Sequence, residues 1–239
     1  GRGDPARPGR GRPAAGSAGS GPARRSRALG ALLAEPIFLL VDAAIVGHLG
    51  VAQLAGVGIA SVILGTLVGL SVFLAYGTTA QVSRALGAGR PADALTFGIA
   101  GLYLAVIIGV AVLAAGWPVA PWLIEAFGGG PEVAGFGVTF LRWSLLGLPA
   151  MLAVLATTGV LRGLQDTRTP LYVAGAGAVV NIGLNLLLVY GIGLGVAGSA
   201  IGTALTQTAM AVVLVLVVAR GARRLGVPLT PHAGHIRGA

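Results

Sequence analysis

Residues 93–116 read DALTFGIAGLYLAVIIGVAVLAAG, and after Asp93 no charged side chain interrupts the run. About 20 predominantly apolar residues suffice for a helix to cross a bilayer. Outward from this segment, stretches of the same kind recur. The pattern predicts six transmembrane helices at 28–49, 53–82, 93–116, 135–161, 170–190 and 196–219. The breaks between them are short and rich in Gly and Pro: Gly50-Val51-Ala52, Gly87-Ala88-Gly89-Arg90-Pro91, Gly128-Gly129-Gly130-Pro131, Thr167-Arg168-Thr169-Pro170 and Gly191-Ile192-Gly193. Such clusters punctuate helices, and no alternating strand pattern competes with them. The fold class expected is an all-α membrane protein.

Composition excludes most other classes. The 239 residues are 55% hydrophobic and only 10% charged, with a mean hydropathy of +0.89; a soluble domain carries about 25% charged residues. With no cysteine, thiolate zinc sites, cysteine nucleophiles and disulfide frameworks are excluded. The formal charge of +9 comes from 16 arginines without a lysine, set against seven acids. The arginines sit in tails and short loops without the aromatic interleaving of a nucleic-acid surface, so nucleic acid is not an expected partner. Residues 1–27 hold seven Arg, seven Gly and four Pro and read as a disordered tail that cannot form a core. The Arg2-Gly3-Asp4 tripeptide within it is assigned no role. Residues 28–219 read as the six-helix lobe. Residues 220–239 read as a cytoplasmic tail or the start of a linker between lobes.

Arginine placement sets the orientation. With the N-terminus cytoplasmic, the inner segments contain fifteen of the sixteen arginines, among them Arg84, Arg90, Arg162, Arg168, Arg220, Arg223 and Arg224; Arg142 is the exception. Excess arginine marks cytoplasmic loops. Trp117, Trp122 and Trp143 flank the outer connection between helices three and four, as an interfacial belt requires. Both termini are expected inside a cell (inner or plasma) membrane, with lipid as the surrounding partner.

The chemistry must come from the few polar groups within the membrane. Glu35 and Asp42, seven residues apart, return to nearly the same face of helix one. Pro36 between them should kink the helix and free a carbonyl. An intramembrane acid is costly unless paired, hydrated or protonated, and by default marks a functional site. Asn181 and Asn185 share one face of helix five at i, i+4, and helix six adds Thr203 with Gln207 one turn on. At 1.5 Å per residue, Asp42, Asn185, Asn181 and Thr203 lie roughly 8–14 Å below the outer interface. The alternative is a set of separate interhelical hydrogen bonds. Gly65 with Gly69, and Gly198 with Gly202, have the small-xxx-small spacing of close helix packing. No metal-ligand cluster, and no nucleophile with a base, can be built from these spacings. His48 stands alone, and His232 and His235 lie in the tail, so neither an enzyme nor a catalytic residue is expected.

These residues resemble a known family. Glu35-Pro36-Ile37-Phe38-Leu39-Leu40-Val41-Asp42 followed by Ile45-Val46-Gly47-His48-Leu49-Gly50 resembles the first helix of MATE (multidrug and toxic compound extrusion) transporters, in their DinF-like branch. Gly77-Thr78-Thr79-Ala80-Gln81, Gly159-Val160-Leu161-Arg162-Gly163-Leu164-Gln165-Asp166-Thr167-Arg168-Thr169-Pro170, and Gly195-Val196-Ala197-Gly198-Ser199-Ala200 extend the similarity in order over 28–219. The resemblance implies one six-helix lobe of a twelve-helix transporter. It also implies export of small organic, often cationic or amphipathic, substrates in exchange for protons or sodium ions. Asp42 matches the family's coupling acid, Asn181 its helix-five asparagine and Thr203 its helix-six threonine. Asn185 stands where the family often has aspartate. That change puts sodium in more doubt than a proton, although sodium at the Asp42 cluster stays open. No cofactor is implied.

One lobe leaves half of the substrate cavity unmade. The sequence reads as the N-terminal half of a longer transporter, with self-association of two copies as the alternative. A lipid-linked sugar flippase of the same superfamily would share the lobe, but should carry more basic residues facing the cavity. A transport-inactive assembly partner would need no buried acid.

Overall fold

The computed structural model describes residues 40–228; the expectations for 1–27, Glu35 and Pro36 lie outside the described residues. The described part of helix one, α1, covers 40–47. It is followed by α2 (Val51–Gly87), α3 (Pro91–Ala126), α4 (Pro131–Gly163), α5 (Arg168–Leu186) and α6 (Gly195–Arg224), with a π-helical turn at Leu187–Gly191 closing α5. No strand occurs among the described residues. Five helices, counting α5 together with its π turn, are long and apolar enough to span a membrane. They match predicted helices two to six in order.

The observed helices outrun several of the expected bounds. The expected third helix ends at 116, whereas α3 continues through Pro118 and Pro121 to Ala126. Pro121 lacks the N–H that would bond the Trp117 carbonyl. Arg142 of α4 supplies it instead, its Nε lying 3.3 Å from that oxygen. The same guanidinium has its carbon 5.7 Å from the Trp117 ring centroid, so one arginine serves as both carbonyl donor and ring cation. At the other end α2 runs five residues past its expected stop to Gly87, where the Ala88 N–H donates back to the Arg84 carbonyl at 3.0 Å.

Helix α4 is the hub, packing against α2, α3 and α6, whereas α5 packs chiefly on α6. Two apolar cores follow from that arrangement. One gathers Val57, Ile63, Ile124, Leu141, Leu145, Leu148 and Leu152; the other, toward the arginine-rich end, gathers Val82, Leu95, Ile99, Val160, Leu161, Leu214 and Val218. Large apolar side chains such as Ile107, Val179 and Leu205 stand exposed on the outside, as a lipid-facing surface requires. Close packing is decided by small residues. A Cβ on Gly147 would lie 2.8 Å from the Ala204 backbone, so α4 and α6 touch there. The same holds for Gly198, but it does not hold for the other expected pair. Gly65 and Gly69 meet no other atom within 4 Å, so among the described residues their face of α2 is left open.

Candidate functional site

Asp42 sits in the described segment of α1, half-buried, facing α5 and α6. The Asn181–Asn185 pair is buried, because i, i+4 spacing places both amides on the face of α5 that meets α6. Asn185 Nδ2 donates to Asp42 Oδ1 at 2.7 Å and to Asn181 Oδ1 at 3.1 Å. Asn181 Nδ2 in turn donates to Thr203 Oγ1 at 3.1 Å. The four residues expected to share a depth therefore form one continuous hydrogen-bonded chain across three helices. A charge-assisted bond to the carboxylate anchors one end of it.

Two glycines make this approach possible. A Cβ on Gly202 would collide with Asn185 Oδ1, and one on Gly198 would lie 2.8 Å from the carbonyl carbon of Leu188 in the π turn. The Gly198/Gly202 spacing thus lets α5 sit directly on α6 where the amides must reach.

Two contributors escaped the sequence reading. Ser199, fully buried, places Oγ 3.5 Å from Asp42 Oδ1. Its signal was present: Ser199 is one turn before Thr203 on the same face of α6. Tyr190 donates its hydroxyl to the Ile45 carbonyl at 2.5 Å. That carbonyl lies in the last turn of α1, where backbone acceptors lose their helical partners; the π turn that aims Tyr190 had no readable signal.

Gln207 does not join the chain. It lines a separate cavity of about 390 Å³ between α2, α4 and α6, with Tyr76, Thr79, Thr158, Arg162 and Met210. No acid lines that cavity among the described residues. Asn185 Oδ1 and Gln207 Oε1 are buried without a hydrogen-bond partner. No group of three His, Asp or Glu side chains able to hold a metal ion occurs among the described residues. A bound cation at this site would rest on one carboxylate and neutral oxygens.

Comparison with known proteins gives the site a context. The sequence model of the MatE family matches residues 28–187. The chain is 32% identical over 163 residues to Protein DETOXIFICATION 44, chloroplastic, of Arabidopsis thaliana, covering 63% of this chain and 31% of that protein. It is 31% identical over 148 residues to DNA damage-inducible protein F of Escherichia coli strain K12, covering 62% and 32% respectively. The chain thus spans about a third of the length of these curated relatives. A crystal structure of a MATE point mutant superposes with a TM-score of 0.74 at 26% identity, over 80% of this chain and 43% of that one.

Proposed function

Because this chain belongs to the MATE family of multidrug and toxin efflux transporters, we propose that it is the N-terminal lobe of a cation-coupled antiporter. The cargo is a drug-like or amphipathic organic compound. Asp42 is the coupling site, and the proton is the coupling ion. One observation carries the reading: the Asp42 carboxylate is joined through Asn185 and Asn181 to Thr203.

As a carboxylate, Asp42 accepts from Asn185 Nδ2. A proton on Asp42 removes the charge and turns an acceptor into a donor. Asn185 then has an unused acceptor, its unpartnered Oδ1, available if the amide rotates. Rotation withdraws Nδ2 from Asn181 and leaves the bond to Thr203 to rearrange. A single proton thereby changes the contacts among α1, α5 and α6, which is the differential interaction that alternating access requires. Sodium fits less well, since one carboxylate and a few amide and hydroxyl oxygens supply a sparse shell.

The 390 Å³ cavity forms part of the substrate wall, where Met151, Met210 and Tyr76 offer adaptable apolar and aromatic contact. A sugar-pyrophosphate flippase would call for several basic side chains there; Arg162 is the cation on the described wall. The arginine-rich ends of the helices face the cytoplasm of a cell membrane. A second lobe completes the cavity.

The test is Asp42→Asn in the transporter that contains this lobe, measured as loss of a fluorescent organic cation from vesicles. Gradient-driven efflux is expected to vanish under a proton gradient, with membrane insertion unchanged. Wild-type rates for the variant under both a proton and a sodium gradient would overturn the assignment.

A further inference from the structure

A cleft of about 440 Å³ opens at the arginine-rich end of the bundle, between the first turn of α3 and the last two turns of α6. The end of α4 forms its floor. Its walls are apolar, built from Leu95, Leu161, Leu164, Val217, Val218 and Leu225, and two arginines, Arg220 and Arg224, line it from α6. Spaced i, i+4, they project on one face. Both are exposed, and among the described residues neither pairs with a carboxylate. Asp166 also lines the cleft, but its oxygens are engaged elsewhere. Oδ1 accepts from the backbone N–H groups of Arg168 and Thr169 at 3.1 and 3.0 Å, and Oδ2 accepts from Thr169 Oγ1 at 2.6 Å. Two cations against one committed acid leave the cleft positive. Pro91, the first residue of α3, also lines it, adding the positive end of a helix dipole.

The depth of the cleft is set by α3. From Leu95 to Trp117 the helix rises roughly 33 Å at 1.5 Å per residue, close to the 30 Å of a hydrocarbon core. With the tryptophans at one interface, the cleft lies at the opposite one.

We propose that this cleft binds an anionic glycerophospholipid, its phosphate between Arg220 and Arg224 and the first methylenes of its chains against Leu95, Leu161 and Val217. A soluble phosphate would satisfy the arginines but leave the apolar walls unused. A zwitterionic lipid would use the walls but bring its own cation to the arginines. The anionic lipid matches both, in the pattern of basic interhelical pockets that hold lipid headgroups. This inference rests on the lobe alone and is independent of the transport reading.

The experiment is native mass spectrometry of the full chain in detergent, titrated with phosphatidylglycerol, with phosphatidylcholine of the same acyl chains, and with glycerol 3-phosphate. Phosphatidylglycerol should be retained as one tight equivalent, and neither other probe should match it. Arg220→Gln and Arg224→Gln should each weaken retention roughly fivefold. Arg223→Gln, one residue away but outside the lining, should leave it unchanged. Asp166→Asn should tighten it, and Val217→Trp, which fills the cleft and spares both arginines, should abolish it. Equal loss with Arg223→Gln, equal retention of phosphatidylcholine, or equal binding of glycerol 3-phosphate would overturn the proposal. So would tight binding that appears only after deletion of residues 229–239, which would give the cleft to the chain's own tail.

Discussion

The backbone of Gly202 on α6 presses against the side-chain amide of Asn185 on α5, with no room for a β-carbon between them. The amide partner of the Asp42 carboxylate is therefore held in place from behind by the absence of a side chain.

Replacing that hydrogen should be felt at the site. Gly202→Ala is expected to push the Asn185 amide away from Asp42 and to destabilise the lobe by about 1–3 kcal/mol through overpacking. Coupled efflux should fall roughly tenfold, a 1.4 kcal/mol change in barrier. Gly65→Ala, on the open face of α2, meets no described atom within 4 Å and should leave the melting temperature of the isolated lobe unchanged or slightly raised. Thermal unfolding in detergent and the vesicle efflux assay read the two effects separately. Equal melting temperatures for Gly202→Ala and the parent would mean that the contact is not fixed.

Asp166 predicts an acid limb in stability. Hydrogen bonds from the Thr169 hydroxyl and the Thr169 backbone hold its carboxyl below the usual range, with smaller help from the backbone N–H and charge of Arg168. The unfolded chain therefore takes up the proton more readily. The stabilisation is complete above the ordinary carboxylate value of about 3.9 and is lost as the pH falls through it toward the folded value. Asp166→Ala should cost about 1 kcal/mol at pH 6, as expected for loss of a helix cap. The gap to the parent should narrow as the pH is lowered through the ordinary carboxylate value. A gap that stays constant over that range, followed by denaturant titration at each pH, would count against a charged cap.

The chain's own lack of cysteine makes orientation directly measurable. A cysteine at Gly130, before α4, should react with an impermeant thiol reagent applied to intact cells, and one at Ala88, after α2, should not. The reverse pattern would invert the topology drawn from the arginines.

Much of this molecule was readable before any coordinates. Helices two to six could be located because a lipid-spanning helix has nowhere to hide its length: about 20 predominantly apolar residues in a row have few other meanings. Asp42, Asn181, Asn185 and Thr203 could be named because a polar group in hydrocarbon is expensive, so each one stands out. What could not be read were contacts that depend on local backbone departures. The π turn brings Tyr190 onto the Ile45 carbonyl, and Gly191 at its end announces only a helix break, not a π turn. Where α3 continues past Pro121, the orphaned Trp117 carbonyl takes its donor from Arg142, some twenty residues away. Glycine spacing was ambiguous for a different reason. Gly65/Gly69 and Gly198/Gly202 look identical as strings, and only the neighbouring helix distinguishes them.

The modest set of partners that α5 possesses also has a meaning in time. It rests chiefly on α6, which the ribosome makes after it. While α5 enters the membrane, Asn181 and Asn185 have each other, but neither Thr203 nor the Gly202 surface yet exists. The hydrogen-bonded chain from Asp42 is thus among the last features of the lobe to be assembled. A ribosome stalled before α6 has emerged would leave a chain with its hub helix α4 made and the Asp42-to-Thr203 hydrogen-bonded chain incomplete.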